Sequence, residues 1–197
     1  VMRFMSRRIF SAIAVAAPVI IAKVGEAAAQ SGGVIDAKLK ERNIVLPKPT
    51  FVPKDVARIP IRWVIVQGDR AYVSGHVASD PEGVIGTAAG GPYGKVGKEV
   101  SEKEAYDYAR RVGLSILADL KRELGTLDRV DRWLRVFGMV NAIDGFAKQP
   151  AVVNGFSDLI LDVWGPERGT HARSAVGLAG LPFNAPVEIE AEVLIRA

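Results

Sequence analysis

The stretch THARSAVGLAGLPFNAPVEIEAEVLIRA, residues 170–197, is the most informative part of this chain. We interpret it as two β-strands, about His171–Leu181 and about Val187–Ile195, because Pro182 and Pro186 between them exclude a helix. Apolar residues alternate with carboxylates along the second strand: Val187, Glu188, Ile189, Glu190, Ala191, Glu192 and Val193. This period of two is typical of a strand with one face in a core. We expect the two strands to pair through their tight connection.

The first of these strands carries residues from which a site can be built. His171 and Arg173 share one face of it, and Ser174 lies on the other. If the strands pair, Arg173 and a glutamate of the second strand can approach one another in a pocket. The alternative is an exposed arginine and an exposed carboxylate with no function, which is the common state of both residue types.

The remaining sequence predicts an α+β domain with two main helices on one face of a mixed sheet. Ser101 and Glu104 form a capping box at the start of the best-defined helix, and Gly125 ends it. The other elements are a hairpin with strands Trp63–Gln67 and Ala71–Val77, a strand at Trp133–Asn141 and a second helix at Pro150–Trp164. The predicted order is therefore hairpin, helix, strand, helix, hairpin.

The first 29 residues predict an export signal. Arg7 and Arg8 precede an apolar run, Ile9–Ala22, whose 14 residues are too few to span a bilayer comfortably. Ala27-Ala28-Ala29 provides a small-residue cleavage site. The arginine pair resembles the twin-arginine export motif, and a chance pair in an ordinary secretory signal is the alternative. We expect a cleaved, periplasmic or otherwise exported protein with no stable membrane span.

Two further regions follow this signal. Residues 30–62 predict a short helix, Val34–Arg42, and then a proline-rich extended arm. Residues 63–197 form the main domain.

Composition excludes several kinds of chemistry. The chain has no cysteine, so disulfides, thiolate metal sites and cysteine nucleophiles are excluded. His76 and His171 are too few and too far apart to indicate a zinc site, and we expect neither metal nor cofactor. Of the formal net charge of +4, the export signal carries most, which leaves the remainder nearly neutral. A nucleic-acid binder usually keeps its basic patch in the folded part, so we do not expect a nucleic-acid partner.

Several motifs together resemble the Rid family, the RidA/YjgF-like reactive-intermediate deaminases. The C-terminal signature is ARSAVGLAGLP followed by VEIEAEV, and upstream pieces agree in order: YVSGH at Tyr72–His76, FGMVN at Phe137–Asn141 and VVNGFSDLILDVWG at Val152–Gly165. The resemblance covers about residue 63 to the C-terminus and is closest to a divergent branch named chorismate-mutase-like for its fold. It implies the same α+β architecture and a homotrimer whose sheets pack into a central barrel, with sites at subunit interfaces.

The same resemblance implies roles for five residues. Arg173 matches the family arginine that grips a substrate carboxylate, and Glu188 matches the glutamate associated with the attacking water. Ser74 and Asn154 match polar substrate-binding positions, and His171 is near enough to line the same pocket. For Asn154 a backbone-capping role is the alternative, and for His171 an interface role.

Two residues depart from the family pattern. Trp63 stands near the family tyrosine position, and Ala175 replaces the cysteine two residues after the arginine. The leading hypothesis is therefore an enzyme that hydrolyses small 2-imino or 2-enamino acids to 2-oxo acids and ammonia. The second hypothesis is a non-catalytic module that holds small carboxylates, which these departures favour. The third, an RNA-cleaving protein, is disfavoured by the nearly neutral mature charge.

Overall fold

The computed structural model describes residues 33–52, 59–86 and 91–196. The predicted export signal and part of the proline-rich arm lie outside these ranges. The helices and strands of the described residues are, in chain order, α1 (Val34–Glu41), β1 (Val64–Gln67), β2 (Arg70–His76), α2 (Glu102–Leu124), β3 (Val130–Asn141), α3 (Gln149–Gly169), β4 (Ala172–Leu178) and β5 (Val187–Ile195).

The five strands form one mixed sheet in the order β1-β2-β5-β3-β4. The pair β3 and β4 is parallel, and the other three pairs are antiparallel. The predicted α+β class and the mixed sheet are confirmed. The first hairpin is also confirmed, because β1 pairs directly with β2 around Gly68-Asp69.

The predicted pairing of the last two strands is wrong. β5 keeps its predicted bounds, but it pairs with β2 and β3. Among the described strands β4 pairs with β3 alone, at the edge of the sheet. The cause is the helix α3, since a strand that returns after a helical crossover lies parallel to the strand before it. β5, buried on one face, then fills the central place between β3 and β2.

The two long helices pack on one face of the sheet and against each other. The capping box of α2 is present, with the Glu104 carboxylate accepting the Ser101 amide at 2.8 Å. Helices α2 and α3 approach so closely at Gly155 that a Cβ there would lie 2.0 Å from the Tyr106 carbonyl oxygen. Helix α3 extends past its predicted end at Trp164, with a break at Gly165.

The two faces of the sheet differ in character. On β5 the residues Val187, Ile189 and Val193 are buried beneath the helices, and the alternating glutamates lie on the opposite face. This helix-free face also carries apolar side chains in contact with solvent: Ile65 is 49% and Tyr72 is 46% exposed. Within the part of the chain that the structure describes, no helix combines the length and apolar character needed to cross a bilayer.

Candidate functional site

Arg173 lies on β4 and points to the helix side of the sheet. It is in register with Val136, a buried residue of β3. Its Nη1 donates to Asn154 Oδ1 and to Ser157 Oγ on α3, both at 2.9 Å. Its Nη2 donates to the Pro150 carbonyl oxygen at 3.4 Å. All three acceptors are neutral, and Arg173 forms no ion pair with any described residue.

Two N–H groups of Arg173 have no acceptor among the described residues: Nε–H and one hydrogen of Nη2. They lie on the same side of the planar guanidinium, where two parallel donors match the two oxygens of a carboxylate. Burial lowers the pKa of Arg173, and the Asp158 carboxylate acts in the opposite direction. An arginine nevertheless stays charged in proteins. The edge of the sheet therefore presents a partly buried, unpaired cation with a free pair of donors.

Ser157, which the sequence analysis did not select, links Arg173 to His171. The Ser157 hydroxyl lies 3.0 Å from His171 Nε2. His171 Nδ1 lies 2.7 Å from the Gly169 carbonyl oxygen and must donate to it. Nε2 then accepts from the Ser157 hydroxyl, whose oxygen accepts from Arg173. Ser157 follows Asn154 by three residues on one helix, so helical spacing could have identified it.

The His171 ring is neutral in this chain of hydrogen bonds. Burial lowers the pKa of His171, and the positive charge of Arg173 lowers it further, against the opposing effect of the bond to Gly169. Its ring also meets the edge of Phe156, with centroids 6.1 Å apart. His171 therefore orients Ser157, and through Ser157 it orients Arg173; both of its ring nitrogens are already engaged.

Glu188 belongs to a second group of residues on β5 and β2. Its carboxylate lies against Gly75, where a Cβ would be 2.0 Å from Oε1, so a larger residue at position 75 would displace the Glu188 carboxylate. Burial raises the pKa of Glu188, the neighbouring Glu190 carboxylate raises it further, and His76 opposes both. The register of β2 against β5 is irregular between Val73 and His76. Gly75, which the Glu188 carboxylate contacts, lies within this bulge.

Ser74 lies in the same bulge. Its hydroxyl donates to the Arg62 carbonyl oxygen at 2.8 Å, and its amide donates to the Trp63 carbonyl oxygen at 3.0 Å. The Trp63 ring in turn packs against the His76 ring, with centroids 4.9 Å apart. Trp63, one of the two departures from the Rid pattern, is therefore part of the support beneath Ser74.

The two groups of predicted site residues do not meet within one chain. Arg173 and Asn154 lie on the helix side of the sheet, at its β4 edge. Glu188 is in register with Met139 of β3 and lies on the helix-free face. The prediction that Glu188 lies within reach of Arg173 is therefore wrong for a single chain. It failed because β3 separates β4 from β5 and because the two side chains point to opposite faces.

Two cavities formed by described residues lie away from Arg173. One of about 980 Å³ lies between α1, the arm and α2, and its lining contains none of the five predicted site residues. Another of about 250 Å³ lies on the helix-free face, where Ser74, Tyr72 and Glu190 contribute to its lining. The lining of the larger cavity is mostly apolar, whereas the hydrogen-bonded groups carry the polar side chains that a small carboxylate requires. Within residues 33–52, 59–86 and 91–196, no three His, Asp or Glu side chains cluster as a metal site would require.

Comparison with known proteins identifies relatives over most of the chain. No family model matches. Protein TCP17 of Trypanosoma cruzi is 40% identical over 129 residues, which is 66% of this chain and 77% of that protein. The crystal structure of Atu1372 from Agrobacterium tumefaciens, a protein of unknown function, is 34% identical with a TM-score of 0.67 and covers 83% of this chain and 93% of its own. The chain is a Rid-fold protein of the family to which these two proteins belong.

A third comparison concerns the fold of this Rid-fold protein. A candidate endoribonuclease from Shewanella oneidensis has a TM-score of 0.71 at 22% identity, covering 82% of this chain and 99% of its own. That similarity confirms the fold that the C-terminal signature predicted.

Proposed function

We propose that this Rid-fold protein hydrolyses small 2-imino or 2-enamino acids to 2-oxo acids and ammonia without a cofactor. The observation that supports this proposal best is the unpaired guanidinium of Arg173. A partly buried cation is costly without a counter-charge, and the partners of Arg173 within the described part of the chain are all neutral. Its two free donors are suited to a carboxylate group, which both the substrates and the products of this reaction carry.

The carboxylate of the substrate is bound first in this mechanism. The Nε–H and Nη2–H of Arg173 donate to its two oxygens, while Asn154 and Ser157 keep the guanidinium plane fixed. Two parallel bonds set the direction of the C1–C2 axis as well as the affinity. The imine carbon is thereby placed at a defined distance from the arginine.

Glu188 then activates water. Its carboxylate accepts a proton as the water oxygen bonds to the imine carbon, the C=N π electrons move to nitrogen, and Glu188 passes the accepted proton to that nitrogen. Glu188 then takes the hydroxyl proton of the resulting carbinolamine and delivers it to nitrogen, the C–N bonding pair leaves with ammonia, and the C=O bond of the 2-oxo acid forms. A raised pKa makes Glu188 a stronger base than an exposed glutamate, and such proton transfer typically contributes about 100- to 10,000-fold in rate.

These two steps require two chains. Arg173 and Glu188 lie on opposite faces of the sheet in one protomer, and β4 is an edge strand. We propose a homotrimer, as the Rid resemblance implies, in which the arginine group of one protomer meets the Glu188 group of the next. The exposed Ile65 and Tyr72 on the helix-free face support a second covering layer.

The same geometry also supports a non-catalytic module for small carboxylate metabolites. Ala175 is in register with Gly138, on the face of β4 that carries Arg173, and it offers no polar group to a reacting atom. If Arg173 offers its two donors but Glu188 does not activate water, the protein would bind 2-oxo acids without hydrolysing imines. The relative described as a candidate endoribonuclease raises RNA cleavage as a third activity, which the nearly neutral mature charge disfavours.

The test is a coupled assay in which 2-iminopropanoate is generated enzymatically and its hydrolysis is followed against the uncatalysed rate. We expect acceleration by the wild type, and its loss in Glu188→Gln and Arg173→Lys. Binding of 2-oxo acids without acceleration would establish the binding module instead. Absence of both would refute the assignment of the site. We further propose that the protein acts after export, as residues 1–29 predict.

A further inference from the structure

A buried histidine–aspartate pair lies beneath the bulge that supports Glu188. His76, on β2, is 1% exposed, and Asp119, on α2, is fully buried. His76 Nε2 lies 3.1 Å from Asp119 Oδ2, and His76 Nδ1 lies 2.6 Å from the Ser74 carbonyl oxygen. The proposed mechanism does not use this pair, although such a buried ionisable group is costly and calls for an explanation.

The hydrogen bonds fix the charge of Asp119. Its two oxygens accept from the Thr50 amide at 3.2 Å, and Oδ1 also accepts from Arg122 Nη2 at 2.8 Å. Burial raises the pKa of Asp119, but the bonds from His76 and Thr50 and the charges of His76 and Arg122 outweigh it and hold the pKa below its ordinary value. Asp119 is therefore a carboxylate that only accepts.

The charge of His76 follows from its two partners. A carbonyl oxygen and a carboxylate both accept, so each ring nitrogen that faces one must carry a proton. His76 is then an imidazolium, fixed between β2 and α2. The Trp63 ring covers it, with centroids 4.9 Å apart.

The His76 ring and the Glu188 carboxylate contact neighbouring residues of the same bulge. Ser74, whose carbonyl oxygen His76 binds, precedes Gly75, and the Glu188 carboxylate lies against Gly75. The charged groups that act on Glu188 are His76 from β2 and Glu190 from β5, and His76 is the one that favours the ionised carboxylate.

We propose that His76 is a positioning residue for Glu188. Asp119 keeps both ring nitrogens of His76 protonated, and the charged ring holds the Ser74–Gly75 bulge in place against the Glu188 carboxylate and attracts that carboxylate. The inference deepens the imine hydrolysis proposed above and rests on it for its function. Its structural claim, a doubly protonated His76 that acts on Glu188, can be tested without any turnover.

The first test is nuclear magnetic resonance of the full-length protein labelled with ¹⁵N in histidine. At pH 7.5 we expect two ring N–H signals from His76 in the wild type and one in Asp119→Asn, which keeps the shape and removes the charge. A single ring N–H in the wild type would overturn the proposal. His171 serves as the internal reference, because its bonds to Gly169 and Ser157 require one ring N–H.

The second test follows the side-chain carboxyl carbon of Glu188 through a pH titration. In His76→Gln, which fills similar space without charge, we expect the titration midpoint of Glu188 to rise by roughly 0.5–1 pH unit, as loss of a nearby opposite charge does. The matched control is Ser115→Ala, which removes a buried bond to Ser79 elsewhere on α2. The control should leave the midpoint unchanged even if it lowers the melting temperature.

The outcomes separate this proposal from the proposed function. An unchanged Glu188 midpoint in folded His76→Gln would refute the role of His76, whatever the activity. A shifted midpoint in a protein that hydrolyses no imine would support the action of the His76 charge on Glu188 and refute the proposed imine hydrolysis. If both hold, the acid limb of the pH–rate profile should move upward with the Glu188 midpoint in His76→Gln, and should stay in place in Ser115→Ala.

Discussion

Replacement of Arg173 by lysine should weaken carboxylate binding far more than it weakens the fold. The wild-type guanidinium has two free parallel donors, Nε–H and one Nη2–H, and lysine keeps the charge but offers no such planar pair. Each charge-assisted hydrogen bond contributes roughly 1.5–3 kcal/mol. Loss of one of the two therefore raises the dissociation constant for a 2-oxo acid by roughly tenfold to 150-fold.

The cost to stability should be smaller. Arg173→Lys also gives up bonds to Asn154 and Ser157, and because these bonds are exposed or only part-buried, solvent reduces each to about 1 kcal/mol. For a domain of this size a loss of 1 kcal/mol lowers the melting temperature by roughly 2–4 °C. The variant should thus melt cooperatively, no more than about 8 °C below the wild type.

Titration calorimetry with 2-oxopropanoate on wild type, Arg173→Lys and Arg173→Ala measures the first effect. The matched control is Arg110→Lys, an arginine on α2 that reaches Asp162 of α3 across 3.4 Å. Its affinity for the 2-oxo acid should equal that of the wild type. Equal affinities for all three proteins at position 173, with unchanged melting, would mean that Arg173 is an ordinary surface arginine.

Four further outcomes are expected. Ser157→Ala should raise KM for imine more than it lowers kcat, because Arg173 keeps its charge but loses its fixed plane; an unaltered KM would contradict the orienting role. Glu188→Gln should raise the melting temperature at pH 7.5 and have little effect near pH 4. The pKa of Glu188 is raised in the folded protein, so its contribution to stability is present below the unfolded value of about 4.3 and is lost at higher pH. The opposite trend would show that the fold stabilises the ionised carboxylate. Light scattering should give three times the mass of one chain, and Phe137→Arg on the helix-free face should give folded monomers, whereas a monomeric wild type would refute the trimer. N-terminal sequencing of the protein from fractionated cells should begin near Gln30, and a cytosolic product that retains residues 1–29 would refute export.

Local sequence signals predicted the elements well because each has a local physical cause. The alternation in residues 187–193 gave β5 its bounds, and the Ser101–Glu104 capping box placed the start of α2 correctly. The extension of α3 beyond Trp164 was missed, because Gly165 interrupts the helical backbone and the chain resumes at Pro166.

The pairing of the strands and the sheet face on which each side chain lies were less predictable, since both depend on contacts between residues distant in sequence. A short connection suggested that β4 and β5 were neighbours, but β3 lies between them. His171, just before β4, and Arg173, on it, both reach Ser157 of α3, as their predicted common face requires. The sequence could not show that this face is the one covered by α3, or that Glu188 lies on the other face. Ser157 was missed for a related reason, because its importance lies in contacts with Arg173 and His171.

The separation of Arg173 from Glu188 has a chemical advantage. Adjacent on one face, the two would form an ion pair, and the guanidinium donors and the carboxylate oxygens would be occupied before a substrate arrived. On opposite faces the two do not occupy one another: Arg173 is held by neutral oxygens, and the Glu188 carboxylate lies against the backbone of Gly75. Assembly between protomers can then set their spacing to that of a substrate with a carboxylate at one end and an electrophilic carbon next to it. The position of Arg173 on the outermost strand, β4, is what makes such an arrangement possible, since an edge strand can present its side chains to a second chain.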